Sequence, residues 1–548
     1  MVLSLPWAAG WIKRHGPRPA AYLNLIVTLL AVVHGTLMLQ QVWLLGPQHI
    51  ELPWFQAADL DLRIGLDLSL TNLAALELVT GLSLVGQVFA LGYLDKEWAL
   101  ARFYALVGFF EGALAGVVLS SNLFMSYFLL EMLTLSTYLL VGFWYAQPLV
   151  VTAARDAFLT KRVGDVLLLM GVVALSAWAG SMEFDDLYVW AAEAHANGVV
   201  TAGALVLLKV MPLLRFSPLA VDALLVVGTI SALAGALVAI AQVDIKRAFS
   251  YSTTSYLGLV FIAIALQQPA IALLLLFAHG LAKALLFMSV GSVIATTSCQ
   301  DLTELGGLGS RMPATTTAYL VGGAGLVGLR PLGCFWCFGL LVEALGRTAP
   351  FFAAVVLITN ALTAFNLTRV FRQVFMGAPL PKTKRAPEVN WLMALPMVSL
   401  TVLVALLPAL MARIDPVPGL ASFPLPLATG VVASGVAGVI GGCLAPLHKF
   451  WSRSMFQPLR LLQDLLAHDF YTERIYKVTI VAAVAGLARF SNWIDQALVS
   501  GFVNGIGRLS LASAEGLKLS VSGQLQTYVL TVLLAIVLLL TSLQWLHG

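Results

Sequence analysis

Charged side chains within apolar stretches are the residues of this sequence that could do chemistry. Two consecutive apolar stretches carry, in chain order, Asp244, Lys246, Arg247, His279 and Lys283. His279 and Lys283 are four residues apart and therefore share one face of a helix. Because an ionisable group at bilayer depth is costly unless it faces a partner or water, such residues are functional candidates. Beside a segment rich in Ser and Thr, this pair predicts a hydrated route for protons.

A second set of charges lies earlier in the chain. Glu131 stands alone in an apolar stretch, where a buried carboxylate needs a cationic partner or a proton. The next stretch offers Arg155, Lys161, Arg162 and Asp165. A structural ion pair and a proton-exchanging pair both fit, and we favour exchange because buried charge is expensive.

Two further charges have competing interpretations. Lys209 lies near a helix end, where it either joins a proton relay or extends its ammonium to the membrane interface. Glu111 is an isolated acid on the helix before Glu131. It fits a proton site, a metal or partner ligand, or a hydrogen-bonded helix contact, and the residues alone favour the helix contact.

The composition places these charges in a membrane. Hydrophobic residues make up 60% of the 548 residues and charged residues 11%, whereas charged residues are about 25% of soluble domains. Apolar runs recur at roughly the 20 residues that a helix needs to cross a bilayer. The net charge of +4 does not indicate nucleic acid as a partner, and four cysteines give no disulfide framework.

The apolar pattern predicts an all-α, polytopic membrane helix bundle in four regions. These are N-terminal transmembrane helices at 1–100, a core at 101–378, further helices at 379–450, and a lateral amphipathic helix with a C-terminal transmembrane anchor at 451–548. Helices are predicted at 20–45, 70–94, 101–121, 123–145, 153–179, 199–214, 219–240, 245–266, 271–296, 315–329, 333–345, 351–375, 391–412, 425–447 and 527–545. Within 453–504, leucine pairs and charges at helical spacing predict an amphipathic helix along the interface or against other subunits. A soluble connector helix is the alternative for that stretch.

Four stretches together resemble the antiporter-like proton-translocating subunits of respiratory complex I. They are QVDIKRAFSYSTTSYLGLVF, SYFLLEMLTLSTYLLVGFW, FLTKRVGD and FAHGLAKALLFMSVGSVI. The tail segments HDFYTERIYKVTIV and SNWIDQALVSGFVNGIG resemble the lateral-helix region of the longest, distal subunit. The resemblance implies the antiporter-like fold and a relay through Glu131, Lys209, His279 and Lys283. Supporting roles then fall to Arg162, Asp165, Asp244, Lys246 and Arg247.

Several stretches, such as SVIATTSCQDLTELGGLGSRMP, are similar in sequence to members of one branch of that family. This branch is the NdhF-type subunit of cyanobacterial photosynthetic complex I specialised for carbon dioxide uptake. The resemblance implies a ferredoxin- or NAD(P)H:plastoquinone oxidoreductase in a thylakoid membrane, with other membrane subunits as partners. It also implies a peripheral Cup-type protein that hydrates carbon dioxide. Glu111 then becomes a candidate for the hydration site, as a proton acceptor or as one ligand of a zinc shared with that partner. No cofactor is expected to be bound by this chain alone.

Three departures from the family pattern stand out. The family's first helix precedes a loop like the one at which this chain starts. Near 197–198, a block with a further helix, a broken helix and a lysine that pairs with the Glu131-type carboxylate is missing. Phe338 occupies the position of the exit-side lysine. Two rival functions therefore stay open: a sodium/proton antiporter subunit of the multi-subunit type, and a non-pumping scaffold for the hydrating partner.

Overall fold

Helices form most of the chain that the structure describes. The structure, a computed structural model, describes residues 18–57, 60–95, 97–194, 204–214, 217–346, 349–414, 425–445, 461, 464–520 and 523–547. The predicted missing block near 197–198 lies outside the described residues. The chain forms two compact units, residues 1–473 and 474–548.

The first unit is a helix bundle with one β-hairpin. Its elements are α1 (Arg18–Leu45), β1 (Gln48–Ala57), β2 (Leu60–Leu68), α2 (Leu70–Tyr93), α3 (Leu100–Leu119), α4 (Leu123–Val141), α5 (Pro148–Ala179), α6 (Phe184–Ala194), α7 (Ala204–Leu214), α8 (Pro218–Ala241), α9 (Ile245–Ala265), α10 (Pro269–Thr297), α11 (Pro313–Leu326), α12 (Gly333–Gly346), α13 (Pro350–Val374), α14 (Trp391–Ile414) and α15 (Leu425–Leu444). A short helix, α16 (Thr472–Tyr476), follows. Among the described residues, ten helices are long and apolar enough to cross a membrane. The predicted all-α membrane bundle is therefore confirmed, apart from the hairpin.

The sequence sets many of the helix starts. Five helices (α5, α8, α10, α11 and α13) begin with proline, whose fixed φ suits the first turn and whose missing N–H is not needed there. Asn122 caps α4, accepting from the backbone N–H groups of Phe124 and Met125 at 2.9 and 3.1 Å. The proline at the start of α5 places that helix five residues earlier than predicted.

The β-hairpin was not predicted. Strand β1 pairs antiparallel with β2, and Gln48 lies opposite Leu68. The sequence LDLRIGLDL of β2 alternates apolar and polar residues strictly, which is the period-two pattern of a half-buried strand. A search for long apolar runs passes over this pattern because no window of it is continuously apolar.

The bundle contains a large core and a smaller one. The larger core is formed mainly by buried residues of α8–α14, including Phe249, Tyr256 and Leu285. The smaller core joins residues of α3–α7, including Val117, Leu133 and Val172. Glu131 thus lies on a helix of the smaller core, and His279 and Lys283 lie on a helix of the larger one.

Backbone contact between α8 and α9 fixes the wall of the larger core. A Cβ on Gly258 would lie 2.5 Å from both the Ala232 nitrogen and the Gly228 carbonyl oxygen. Ser255 Oγ donates to the Ala232 carbonyl at 2.6 Å across the same contact. Small residues permit such close approach of membrane helices, and interhelical hydrogen bonds strengthen it.

The second unit consists of helical segments interrupted by π-helical turns. It contains Lys477–Val481 (π), α17 (Ala482–Ile494), Asp495–Ser500 (π), α18 (Gly501–Ser520) and α19 (Leu525–His547). The single amphipathic helix predicted over 453–504 is wrong at one point. Asp469, Phe470 and Tyr471 all have φ near +54°, and three successive left-handed residues cannot continue a right-handed helix. The C-terminal anchor is present as α19, one of the ten candidate spans.

We expect Gly258→Ala to destabilise the protein, because its methyl group would push α9 away from the α8 backbone. Overpacking of this kind costs about 1–3 kcal/mol. The measurement is the thermal midpoint of the detergent-solubilised complex. Gly81→Ala is the matched control, since a Cβ on Gly81 meets no atom within 4 Å. Equal midpoints for the two variants would contradict the close approach.

Candidate functional site

Lys283 occupies a buried site between α10 and α9. Only 5% of its surface is exposed. Its ammonium donates to the Phe249 carbonyl at 2.9 Å and to Ser252 Oγ. Nζ also lies 5.2 Å from the Phe249 ring centre, a cation–π distance. No carboxylate pairs with Lys283 among the described residues. Neutral oxygen atoms and an aromatic ring therefore stabilise the ammonium, which remains able to release its proton.

His279 lies one turn away on the same face of α10. Its ring stacks on Tyr256 of α9, with centroids 4.7 Å apart. The buried Nε2 atom has no hydrogen-bond partner among the described residues. Tyr256 Oη donates to the Leu326 carbonyl at 2.5 Å. His279 and Lys283 therefore form one site, as their spacing predicts.

Glu131 forms a separate site on α4. One of its carboxylate oxygens pairs with Arg162 of α5, and the other accepts from Tyr127 Oη at 2.9 Å. The Glu131 side chain is 20% exposed and that of Arg162 is 47% exposed, so the pair lies at the edge of the packed interior. Asp165, one turn further along α5, has a buried Oδ2 without a hydrogen-bond partner. Of the partners that the sequence offered to Glu131, Arg162 is the one with which it forms an ion pair.

Lys209 of α7 is directed into a polar cleft. Its Nζ donates to the Ser120 carbonyl and lies 5.7 Å from the Phe184 ring centre. The cleft has a volume of about 420 Å³, and its acidic lining residues are Glu51, Asp67, Glu183, Asp185 and Asp186. No hydrogen bond or ion pair between described residues joins Lys209 to Glu131 or to Lys283. The four predicted relay residues therefore lie at three separate sites: one at Glu131, one at Lys209, and one shared by His279 and Lys283.

The charges at the start of α9 have local roles. Asp244 is the N-cap and accepts from the Arg247 backbone N–H at 2.9 Å. Lys246 and Arg247 are exposed. Asp244 and Arg247 line an open cleft of about 430 Å³ with Gln242 and Asp301. These three predicted supporting residues are therefore at the end of the bundle and not beside Lys283.

Glu111 lies in a buried polar cluster of α1, α2 and α3. Its Oε2 accepts from Ser83 Oγ at 2.6 Å, Thr28 Oγ1 at 2.9 Å and Gln87 Nε2 at 2.9 Å. Its Oε1 receives no hydrogen bond from the described residues. Glu111 also lines a mostly apolar cavity of about 600 Å³ that extends to Leu66 and Leu68 of β2. The helix contact favoured from the sequence is present, and the same residue lines the cavity.

Glu111 alone does not make a metal site. A zinc ion takes three or four protein ligands, and in the described part of the chain no group of three His, Cys, Asp or Glu side chains could hold one. Oε2 is already occupied by three donors, so Oε1 is the atom left for a ligand. Any zinc here would need most of its ligands from another protein.

Glu77 and Arg369 are two of the ionisable residues inside membrane helices that the sequence reasoning missed. Glu77 of α2 accepts from Thr36 Oγ1 at 3.2 Å, and its Oε1 has no partner in the described region. Arg369 of α13 is 5% exposed and bonds only to oxygen atoms of Gln242, Ala239 and Asn366. Both could be found with the rule that revealed Glu131, because each is a charge inside an apolar run.

Comparison with known proteins places the chain in a family. Residues 120–199 and 194–363 match the sequence profile described as "NADH:quinone oxidoreductase/Mrp antiporter, TM". Residues 54–104 match "NADH-Ubiquinone oxidoreductase (complex I), chain 5 N-terminus". The chain is 62% identical over 592 positions to the organellar chromatophore NAD(P)H-quinone oxidoreductase subunit 5 (copy 2) of Paulinella chromatophora, covering 100% of this chain and 96% of the relative. The chain belongs to the NAD(P)H-quinone oxidoreductase subunit 5 family.

More distant similarities agree with this membership. The chloroplastic subunit 5 of Mesostigma viride is 27% identical, with 89% of this chain and 87% of the relative aligned. A chain of the Mrp complex from a Dietzia species superposes with a TM-score of 0.61 at 16% identity, covering 80% of this chain and 97% of that chain. The predicted antiporter-like fold is confirmed.

The match of the chain to its family is not continuous along the sequence. The antiporter profile matches in two pieces that meet at 194–199. The alignment with the Paulinella subunit spans 592 positions, and 548 residues of this chain leave at least 44 of them unmatched.

We expect Gln87→Leu to destabilise the N-terminal helices of this subunit 5 protein. The change removes donors to Glu111, Thr28 and Ser83 at once, and an unsatisfied buried polar group costs about 1–3 kcal/mol. The thermal midpoint of the solubilised complex measures the effect. Gln40→Leu, at an exposed position of α1, is the control. A midpoint for Gln87→Leu no lower than that of the control would contradict the cluster's contribution.

Proposed function

We propose that this chain is the proton-translocating membrane subunit of a ferredoxin- or NAD(P)H:plastoquinone oxidoreductase. The observation that carries the proposal is the Lys283 ammonium, buried between two helices and held only by neutral groups. Such a group can lose its proton without leaving a buried carboxylate unpaired. His279, four residues away, offers a second exchangeable nitrogen on the same face.

The relay runs through three places in this proposal. Glu131 exchanges a proton when Arg162 moves away from it, because the ion pair otherwise holds the carboxylate charged. Lys209 lies on α7, which packs against both α3 and α9 and so connects the two cores. Lys283 and His279 then take up the charge. Each buried charge opposes a like charge at the next site, which couples the protonation steps.

We further propose that the chain lacks an internal block between its two matched pieces. The two-piece match at 194–199 and the unmatched positions support this. Lys209 then takes over the link that a lysine of the missing block would provide. We also infer that the chain works with other membrane subunits, as the names of its relatives indicate.

Among plastoquinone-linked complexes, we infer the variant coupled to carbon dioxide uptake in a cyanobacterial-type thylakoid membrane. Glu111 supports it, because this residue lines a mostly apolar cavity of about 600 Å³ in which an uncharged gas can dissolve. The carboxylate would accept the proton released on hydration, or give one ligand to a zinc held mainly by a Cup-type partner. A non-pumping scaffold for that partner is the second candidate function, and the interrupted alignment favours it over a sodium/proton antiporter subunit.

We expect Glu131→Gln and Lys283→Met each to lower proton translocation per quinone reduced by about a hundredfold, the lower end of what a positioned proton-transfer group contributes. Quinone reduction and ΔpH are measured together in membrane vesicles. Arg155→Gln is the control for the first variant, because Arg155 pairs with the adjacent Asp156 on the exposed side of α5. Translocation at the parent ratio in both variants would instead support the scaffold.

Glu111→Gln tests the carbon dioxide assignment separately. The amide cannot accept a proton or bind zinc as a carboxylate does, yet its oxygen can accept the same three hydrogen bonds. We expect carbon dioxide uptake by cells to fall several-fold while the thermal midpoint of the complex stays near the parent value. Unchanged uptake would remove Glu111 from the reaction and leave it a structural contact.

A further inference from the structure

Helix α13 carries a row of buried polar side chains on one face. The row consists of Thr359, Thr363, Asn366, Arg369 and Gln373, at successive spacings of four, three, three and four residues. None of these residues is more than 9% exposed. Polar groups buried in this way are normally hydrogen-bonded, so each needs an account of its partner.

Four atoms of this row have no partner among the described residues. They are Thr359 Oγ1, Thr363 Oγ1, Arg369 Nε and Gln373 Oε1. Many threonines of the bundle bond to their own helix, as Thr297 Oγ1 does with the Val293 carbonyl at 2.7 Å. The row on α13 differs in having four unpartnered atoms on one face among the described residues. Bound water is the usual partner of buried polar atoms of this kind.

The inner part of the row reaches the Lys283–His279 site. The Thr363 hydroxyl lies beside that of Tyr256, and the Tyr256 ring stacks on His279, whose Nε2 is also unpartnered. A water at Thr363 therefore has polar neighbours on both helices. The row and His279 thus have Tyr256 as a common neighbour.

The outer part of the row ends at the open cleft beside Asp244. Arg369 Nη2 donates to the Gln242 carbonyl at 3.1 Å, and Gln242 lines that cleft. The guanidinium also approaches the Ala239 carbonyl at 3.5 Å, so it lies at the negative end of the α8 dipole. From Thr359 to Gln373 the row extends about 21 Å along the helix.

We propose that this face of α13 binds a chain of water molecules that gives His279 proton access to the cleft at Gln242. The inference rests on the proposed relay function and assigns its route to one side of the bundle. Each transfer breaks one O–H or N–H bond and forms one at the neighbouring oxygen or nitrogen, so no co-reactant is needed. Arg369 is a positioning residue, because its fixed charge and its N–H donors orient the waters where the row reaches the cleft at Gln242.

Water along this face is tested by cysteine labelling in the whole complex in membrane vesicles. The variants are Thr359→Cys, Thr363→Cys and Gln373→Cys, and the probe is methanethiosulfonate ethylammonium. Ala353→Cys and Ala364→Cys are controls at apolar, buried positions on the opposite side of α13. Because a thiol reacts as a hydrated thiolate, we expect labelling at least about tenfold faster on the row than at the controls. Equal rates at all five positions would overturn the water chain.

Proton conduction by the chain is tested by Thr363→Val, which removes the hydroxyl at nearly constant volume. We expect translocation per quinone reduced to fall several-fold, to be unchanged in Thr297→Val, and to be restored in Thr363→Ser. Parent-level translocation in Thr363→Val would refute conduction along this row. The outcome is separable from the relay itself: if Lys283→Met pumps normally the relay fails, whereas the labelling pattern reports water at α13 in either case.

Discussion

Buried positive charge held by neutral oxygen atoms is the constraint around which this bundle is built. Lys283 has a hydroxyl, a carbonyl and two phenyl faces around its ammonium, and Arg369 has carbonyls and an amide. A carboxylate beside either group would neutralise it permanently and fix its proton. Neutral partners stabilise the cation while leaving the uncharged form of a lysine accessible. Arginine keeps its proton in proteins, so the two sites are suited to different tasks: exchange at Lys283 and fixed orientation at Arg369.

The helix packing brings neutral hydrogen-bond partners to the buried positive charges. Phe249 and Ser252 can meet Lys283 only because α9 lies against α10, and the glycine contacts of α9 with α8 hold it there. Side-chain hydrogen bonds also stabilise the irregular backbone between α11 and α12. Asn360 accepts from the Gly328 backbone N–H at 2.9 Å and donates to the Val431 carbonyl and to Ser434 Oγ. Irregular backbone at membrane depth needs such partners within the protein. In this bundle, the helix packing therefore also determines which hydrogen bonds form and how the buried charges are stabilised.

Sequence reasoning reached the helices and the pairings within one helix or between consecutive helices. Hydrophobic length alone located the long spans, and helical spacing alone united His279 with Lys283. Sequence reasoning failed where the pattern is short or where the feature depends on tertiary contacts. The hairpin has a period-two pattern outside any apolar run, and the kink at Asp469–Tyr471 leaves no mark in composition. Asp244 caps α9 locally, which an Asp at a helix start can indicate. The bond of Ser252 to Lys283 instead depends on how α9 and α10 meet, which a single sequence does not show.

The separation of Glu131 from Lys283 limits how the two sites can communicate. No described hydrogen bond connects them, so coupling must pass by rearrangement or by water, not through a static chain of side chains. The Glu131–Arg162 pair is suited to rearrangement, because nearly half of the arginine side chain is exposed and free to swing. Once Arg162 leaves, Glu131 is an uncompensated charge that either takes a proton or attracts another cation. In the proposed relay, the Glu131–Arg162 ion pair is therefore the part that rearranges, and Lys283 is the part that holds the proton.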